Sequence, residues 1–144
     1  MGVILCPTRG GEQSHKAQDK AIELARETGD LLIFLYVVDA QFMKDTTAIS
    51  RLSEATGELQ RMGEFLLLAA QERAREAGVE AQAICRQGNV RETIAEVVKE
   101  YQAKTLVLGH SPRDVLERFF TLDDLREFAQ RIEEKTGARV IIAE

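Results

Sequence analysis

Short apolar runs alternate with helical repeats along this chain. Most of the runs are continuous, which is typical of parallel strands covered on both faces. Five of them predict strands at residues 3–6, 31–38, 81–85, 105–108 and 139–143. Between the runs, apolar residues recur at helical spacing, as in Ala17, Ala21 and Ala25. The pattern therefore predicts five strands joined by four helical connections.

Residues at the ends of the predicted helices agree with this order. Glycine occupies the left-handed position that ends a helix just before a strand, at Gly29, Gly78 and Gly137. Asn89 followed by Glu92 is typical of a helix N-cap. The segment 45–77 is longer than one crossover needs and predicts one long helix with a lead-in, weakened locally by Gly57 and Gly63.

Alternating strands and helices predict an α/β fold, with a five-stranded parallel sheet and helices on both faces. We expect the strand order 3-2-1-4-5, in which the chain reverses direction between the first and fourth strands. Ligands bind outside the carboxyl ends of the strands at such a switch point. The length of 144 residues and the apolar content of 44% fit one domain, residues 1–144.

Two loops at that switch point contain the candidate ligand-binding residues. They are Thr8, Arg9, Gly10, Gly11 and Ser14 after the first strand, and Gly109, His110, Ser111 and Arg113 after the fourth. Backbone N–H groups at a helix start, made accessible by glycines and supported by arginines, favour an anion such as a phosphate or a nucleotide. The alternative is that the glycines serve turn geometry and the arginines are solvated.

Charge and residue spacing exclude several classes of function. The net charge is −5 and both signs are scattered, so we expect neither nucleic acid nor a membrane as a partner. No run approaches the roughly 18 to 20 residues of a membrane span and no leader sequence is evident, which predicts a cytoplasmic protein. Cys6 and Cys85 lie in predicted strands without metal-ligand spacing, so we expect reduced thiols and no metal.

Catalysis has little support in the sequence. Ser111 next to His110 does not form a nucleophile and base pair by sequence proximity alone, because such a pair needs a defined orientation and a third group. We therefore name no catalytic residue. The sequence favours a binding protein over an enzyme without settling the question.

Four short motifs occur in the order and at the spacing of a known protein family. They are Val3-Ile4-Leu5-Cys6-Pro7-Thr8, Leu35-Tyr36-Val37-Val38-Asp39, Gly88-Asn89 and Thr105-Leu106-Val107-Leu108-Gly109. Together they make the whole chain resemble the universal stress protein family. This resemblance implies a Rossmann-like fold of the adenine nucleotide alpha hydrolase type and a role in stress response or regulation. It also implies a homodimer in which the last strand pairs across the axis, covering an apolar edge at residues 139–143.

The nucleotide loop departs from the family pattern. ATP-binding members have an acidic residue after the Pro-Thr pair, where this chain has Arg9. Of their G-x2-G-x9-G-[ST] loop only Gly109 remains, because Pro112, Leu122 and Asp123 occupy the later positions. Proline removes a backbone donor that phosphate binding needs. The resemblance therefore implies a member that does not bind ATP in the usual manner and leaves any cofactor unidentified.

Other interpretations remain open. Val38 matches the adenine-contacting position of the family, and either lines a pocket or belongs to the core. The segment 9–14 is similar to the S-G-G-x-D-S loop of the PP-loop ATP pyrophosphatases, departing at Arg9 and Gln13. The alternative function is thus a nucleotide- or phosphate-binding sensor or hydrolase that uses the loops after the first and fourth strands. A phosphoacceptor receiver is disfavoured, because Arg9 and the glycines occupy its acidic pocket.

Overall fold

A computed structural model of the chain describes residues 2–9, 12–38, 49–110 and 122–143. Within these ranges, strands and helices alternate along the chain. The elements are β1 (Val3–Pro7), α1 (Glu12–Thr28), β2 (Leu31–Val38), α2 (Ile49–Glu76), β3 (Ala81–Gln87), α3 (Val90–Glu100), β4 (Thr105–Gly109), α4 (Leu122–Thr136) and β5 (Arg139–Ala143). The strands form one parallel sheet in the order β3-β2-β1-β4-β5. The predicted fold class and strand order are confirmed.

Two helical layers cover the sheet. Ile4 and Cys6 of β1 lie in a core shared with α1 and α2, whereas Leu5 between them packs with α3 and α4. This arrangement follows from right-handed crossovers, because the chain moves towards β3 in its first two connections and towards β5 in its last two. Burial on both faces explains why the central strands are continuously apolar.

The helix ends match the residues that predicted them. Backbone φ angles are positive at the three glycines that follow α1, α2 and α4, with values of 74°, 82° and 76° at Gly29, Gly78 and Gly137. The Asn89 side chain accepts a hydrogen bond from the backbone N–H of Glu92 at 3.1 Å, which caps α3. The predicted lead-in to the long helix, before Ile49, lies outside the described residues.

Helix α2 lies close to the sheet at Gly63. A Cβ atom at this position would overlap the ring of Tyr36 on β2. Gly63 therefore permits close packing of α2 on the sheet, in addition to its effect on helix propensity. Among the helices in the described ranges, none is long and apolar enough to cross a membrane.

Candidate functional site

The segment after β1 is held on two sides. The backbone N–H of Thr8 donates to the Leu35 carbonyl of β2 at 2.8 Å. The backbone N–H of Arg9 donates to Ser14 Oγ at 3.2 Å. The second bond links the end of β1 to the first turn of α1. Arg9, which is half-buried, and the start of α1 therefore both lie at the carboxyl end of β1.

A buried amide lies directly behind this segment. Gln18 Nε2 donates to Thr8 Oγ1 at 2.7 Å, and the two residues are only 4% and 2% exposed. The other end of the same amide, Oε1, is buried and has no hydrogen-bond partner among the described residues. Leaving such a group unsatisfied costs about 1–3 kcal/mol, so most buried polar atoms have a partner. Gln18 Oε1 therefore marks a position that suits a hydrogen-bond donor.

A second unpartnered polar atom follows β4. His110 is half-buried, and within the described ranges its buried ring Nε2 has no hydrogen-bond partner. Its backbone N–H donates to the Ala143 carbonyl at the end of β5 at 3.2 Å. β1 and β4 pair with Leu5 opposite Leu106, and the same register continued to the strand ends places Thr8 beside Gly109. The buried amide and the imidazole therefore lie at the same carboxyl edge, where β1 and β4 meet.

The charge of Arg9 acts on the neighbouring strand β2. Burial and the proximity of Cys85 raise the pKa of the Tyr36 hydroxyl, and Arg9 partly opposes this rise. Tyr36 is 8% exposed and pairs in register with Cys85 of β3. Arg9 is therefore close enough to β2 to supply positive charge on that side of the strand ends.

A sequence model of the universal stress protein family matches residues 1–132. This chain belongs to that family. No curated protein sequence matches it.

Solved universal stress proteins share the fold of this family member. One from Burkholderia pseudomallei is 24% identical with a TM-score of 0.70, over 98% of this chain and 94% of that one. UspA from Lactobacillus plantarum is 18% identical with a TM-score of 0.77, over 99% and 97% of the two chains. A complex with dAMP from Archaeoglobus fulgidus is 18% identical with a TM-score of 0.62, over 100% and 98%.

Some of the predicted site residues of this universal stress protein lie together and others do not. Those at the shared edge are Thr8, Arg9, Ser14, Gly109 and His110. Val38 is 1% exposed within the core formed with α1 and α2, and its carbonyl accepts a bond from Gly88 N–H at 2.9 Å. The remaining candidates lie outside the described residues: Gly10, Gly11, Ser111 and Arg113.

Gln18 is a site residue that the sequence pattern does not single out. It lies beside Ala17 and one turn before Ala21, within the apolar stripe by which α1 packs on the sheet. A polar residue in a buried stripe needs a hydrogen-bond partner, and this position is the one signal in the sequence that indicates a role for Gln18. The sequence could not show that the partner is Thr8.

Neither metal binding nor thiol chemistry is supported in the described ranges. They contain no group of three or more His, Cys, Asp and Glu side chains that could hold a metal ion. Cys6 is fully buried, and this burial raises the pKa of its thiol to about 12. Cys85 is only partly buried, and burial together with Glu64 raises its pKa. Both cysteines are therefore poor nucleophiles at neutral pH.

A shallow groove of about 420 Å³ lies elsewhere, between α1 and α2. It is lined by the later turns of both helices, and Arg73 of α2 forms an ion pair with Asp19 of α1 across it. Helices of a parallel α/β sheet run opposite to the strands, so these turns lie towards the amino edge. The groove is therefore separate from the carboxyl ends of β1 and β4.

Proposed function

We propose that this universal stress protein is a regulatory stress-response protein that binds a small anionic ligand of the nucleoside monophosphate class. The ligand binds at the carboxyl ends of β1 and β4, without the ATP loop found in other family members. The protein acts by binding and does not catalyse a reaction. The observation that supports this most directly is the buried Gln18 amide, which donates to Thr8 and whose Oε1 has no partner in the part of the chain that the structure describes.

The polar groups at this edge favour a nucleotide over a simple anion. Arg9 and the N–H groups at the start of α1 suit a negatively charged phosphate. Gln18 Oε1 is an acceptor, so it suits a donor such as a sugar hydroxyl or a base amine. His110 Nε2 adds a second polar contact that can donate or accept. A nucleoside monophosphate contains both kinds of group.

Structural relatives provide a second line of support. Universal stress proteins with this fold have been solved in complex with cAMP, dAMP and AMP. All three ligands contain a single phosphate. A one-phosphate ligand is compatible with a chain that has Pro112 and Leu122 at glycine positions of the ATP loop, because fewer phosphate oxygens need backbone donors.

Thermal unfolding with a ligand panel tests this function. The panel contains AMP, cAMP, ATP, pyrophosphate and inorganic phosphate. A ligand present at 100 times its Kd stabilises the native state by about 2.7 kcal/mol, which raises the melting temperature by roughly 5–10 °C. We expect this rise with AMP or cAMP, and its loss in Arg9→Asp. Arg26→Asp, at an exposed arginine late in α1, is the control that keeps the rise.

The other outcomes have distinct meanings. An equal rise with inorganic phosphate would favour a phosphate sensor, and release of phosphate from ATP or AMP would favour the hydrolase alternative. No rise with any ligand would contradict the proposed ligand class.

We also propose a homodimer through β5. This strand is an outer strand of the sheet, and its last four residues are apolar and half-buried. An exposed apolar edge promotes association with another strand, and pairing with a second copy would cover it.

A further inference from the structure

The outward face of α2 is apolar at its centre. Met62, Phe65 and Leu68 are 50%, 70% and 65% exposed, while Leu67 and Ala70 of the same helix are buried against the sheet. A single exposed apolar residue is ordinary in a folded protein. Three large ones within two turns of one helix face form a patch that points to an interaction surface.

Charged residues continue this face in both directions at regular spacing. Six exposed residues follow one another in alternating steps of three and four: Glu58, Arg61, Phe65, Leu68, Glu72 and Arg75. These steps are the heptad spacing by which two helices pack side by side along a common seam. The seam has apolar residues at its centre and one acidic and one basic residue on each side.

We propose that α2 pairs with α2 of a second copy in antiparallel orientation, about an axis between Phe65 and Leu68. In this register, Phe65 packs against the partner's Leu68. Arg61 faces the partner's Glu72, and Glu58 faces the partner's Arg75. Each contact occurs twice because the arrangement is two-fold symmetric. Every layer then joins two apolar residues or two opposite charges.

Other arrangements of the same two helices are unfavourable. A parallel pair in register places Glu58 on Glu58 and Arg61 on Arg61, so like charges repel. Moving the antiparallel pair by one heptad step places Phe65 opposite Arg61 or Arg75. The charges therefore select one orientation and one register.

The charged residues of the seam are exposed, so they contribute little to the affinity of the α2 contact. Arg75 already pairs with Glu72 of its own helix at 3.2 Å, and both side chains are more than half exposed. Exposed ion pairs contribute only about 0–1 kcal/mol each, so burial of Phe65 and Leu68 provides most of the affinity. The seam spans few turns, and an interface of this size suits reversible association.

This contact is independent of the proposed ligand site and of the proposed β5 dimer. α2 packs on the β2 and β3 side of the sheet, and β5 forms the opposite edge. A chain that uses both self-contacts would form assemblies larger than a dimer. The α2 contact alone would give a dimer.

Sedimentation equilibrium of the full chain tests the pairing over a concentration series that reaches the high-micromolar range. We expect the average mass to rise with concentration and Phe65→Glu to remove one association step, either tetramer to dimer or dimer to monomer. Phe65 is 70% exposed, so this variant should keep the wild-type melting temperature at a dilution where neither protein associates through α2. If the proposed β5 dimer does not form, association through α2 begins from a monomer instead of a dimer. Phe65→Glu still removes the α2 step in that case.

Charge exchange tests the register. We expect Arg61→Glu and Glu72→Arg each to weaken association by about tenfold, and the double variant to restore it. The two residues are about three turns apart, roughly 16 Å along one helix, so they can compensate only between copies. Arg131→Glu, which breaks an exposed ion pair with Glu127 on α4, is the matched control and should not change association.

Two results would overturn the proposal. One is a wild-type mass equal to that of Phe65→Glu at every concentration. The other is a charge-exchanged double variant that associates no better than either single variant, because the antiparallel register requires restoration.

Discussion

Gln18 of α1 and Thr8, which follows β1, form a buried hydrogen bond between their side chains. The Gln18 amide donates to the Thr8 hydroxyl oxygen at 2.7 Å, and neither side chain has appreciable solvent exposure. Because the hydroxyl oxygen accepts this bond, its own hydrogen remains able to donate. The bond therefore fixes the nitrogen of the amide, and it leaves one donor (the Thr8 hydroxyl hydrogen) and one acceptor (Gln18 Oε1) at the carboxyl end of β1.

Loss of the Thr8 hydroxyl should destabilise the protein. Thr8→Val leaves the amide of Gln18 without its partner, so we expect the free energy of unfolding to fall by about 1–3 kcal/mol. Urea unfolding measures this. In a Gln18→Leu background the same change should cost clearly less, since no buried amide is left unsatisfied. Equal costs in the two backgrounds would show that the hydrogen bond does not stabilise the fold.

Replacing the two glycines of α2 by alanine should change the free energy of unfolding in opposite directions. Gly63→Ala brings a methyl group into the Tyr36 ring, so we expect a loss of about 1–3 kcal/mol through overpacking. Gly57→Ala is the control in the same helix, where the new Cβ would meet only the Arg61 side chain at 3.7 Å. It should gain about 0.5–1 kcal/mol from helix propensity. Changes of the same sign in both variants would disprove the close packing at Gly63.

The buried Cys6 thiol should make stability fall at alkaline pH. Its pKa is raised from 9.0 to about 12 in the folded protein, so the folded state retains a proton that the unfolded chain releases. The stability that this difference provides is fully present below pH 9. It is lost as the pH rises from 9 towards 12, by about 1.4 kcal/mol per pH unit. We expect a steeper loss in wild type than in Cys6→Val when unfolding is followed from pH 8 to 11. Parallel curves would contradict this.

The edge strand β5 offers a direct test of the proposed dimer. Ile141 is half-buried at this edge, and Ile141→Lys would introduce a charge where a second copy is expected to pair. We expect a smaller assembly by light scattering. Ala83→Lys on β3, an exposed position of the opposite outer strand, is the control and should leave the mass unchanged. An unaltered mass for Ile141→Lys would exclude β5 as the interface.

The strands could be predicted because both faces of the sheet are covered, which leaves continuous apolar runs such as Leu31–Val38. β3 extends to Gln87, beyond the predicted end at Cys85, since the last residues of this outer strand are polar. Contacts between elements could not be predicted. The sequence indicates only the effect of Gly63 on helix propensity, because its contact with Tyr36 exists only once α2 packs on β2.

The sequence likewise predicts some residues of the candidate site and not others. Arg9 and His110 were identified because strand order places the ends of β1 and β4 together. Gln18 was missed because its bond to Thr8 spans the turn between β1 and α1, a separation of ten residues whose geometry the sequence does not specify. For Val38 the sequence allowed a pocket or the core, and the structure places its side chain in the core.

Calorimetric titration of AMP into wild type and Gln18→Leu tests the central claim most directly. The control is Gln71→Leu, which removes a partly buried glutamine that bonds the Ala81 carbonyl on the far side of the fold. We expect AMP to bind wild type and Gln71→Leu equally, and Gln18→Leu about tenfold more weakly through loss of one buried hydrogen bond. Absence of binding to wild type, or equal binding to all three proteins, would contradict a nucleotide site at this amide.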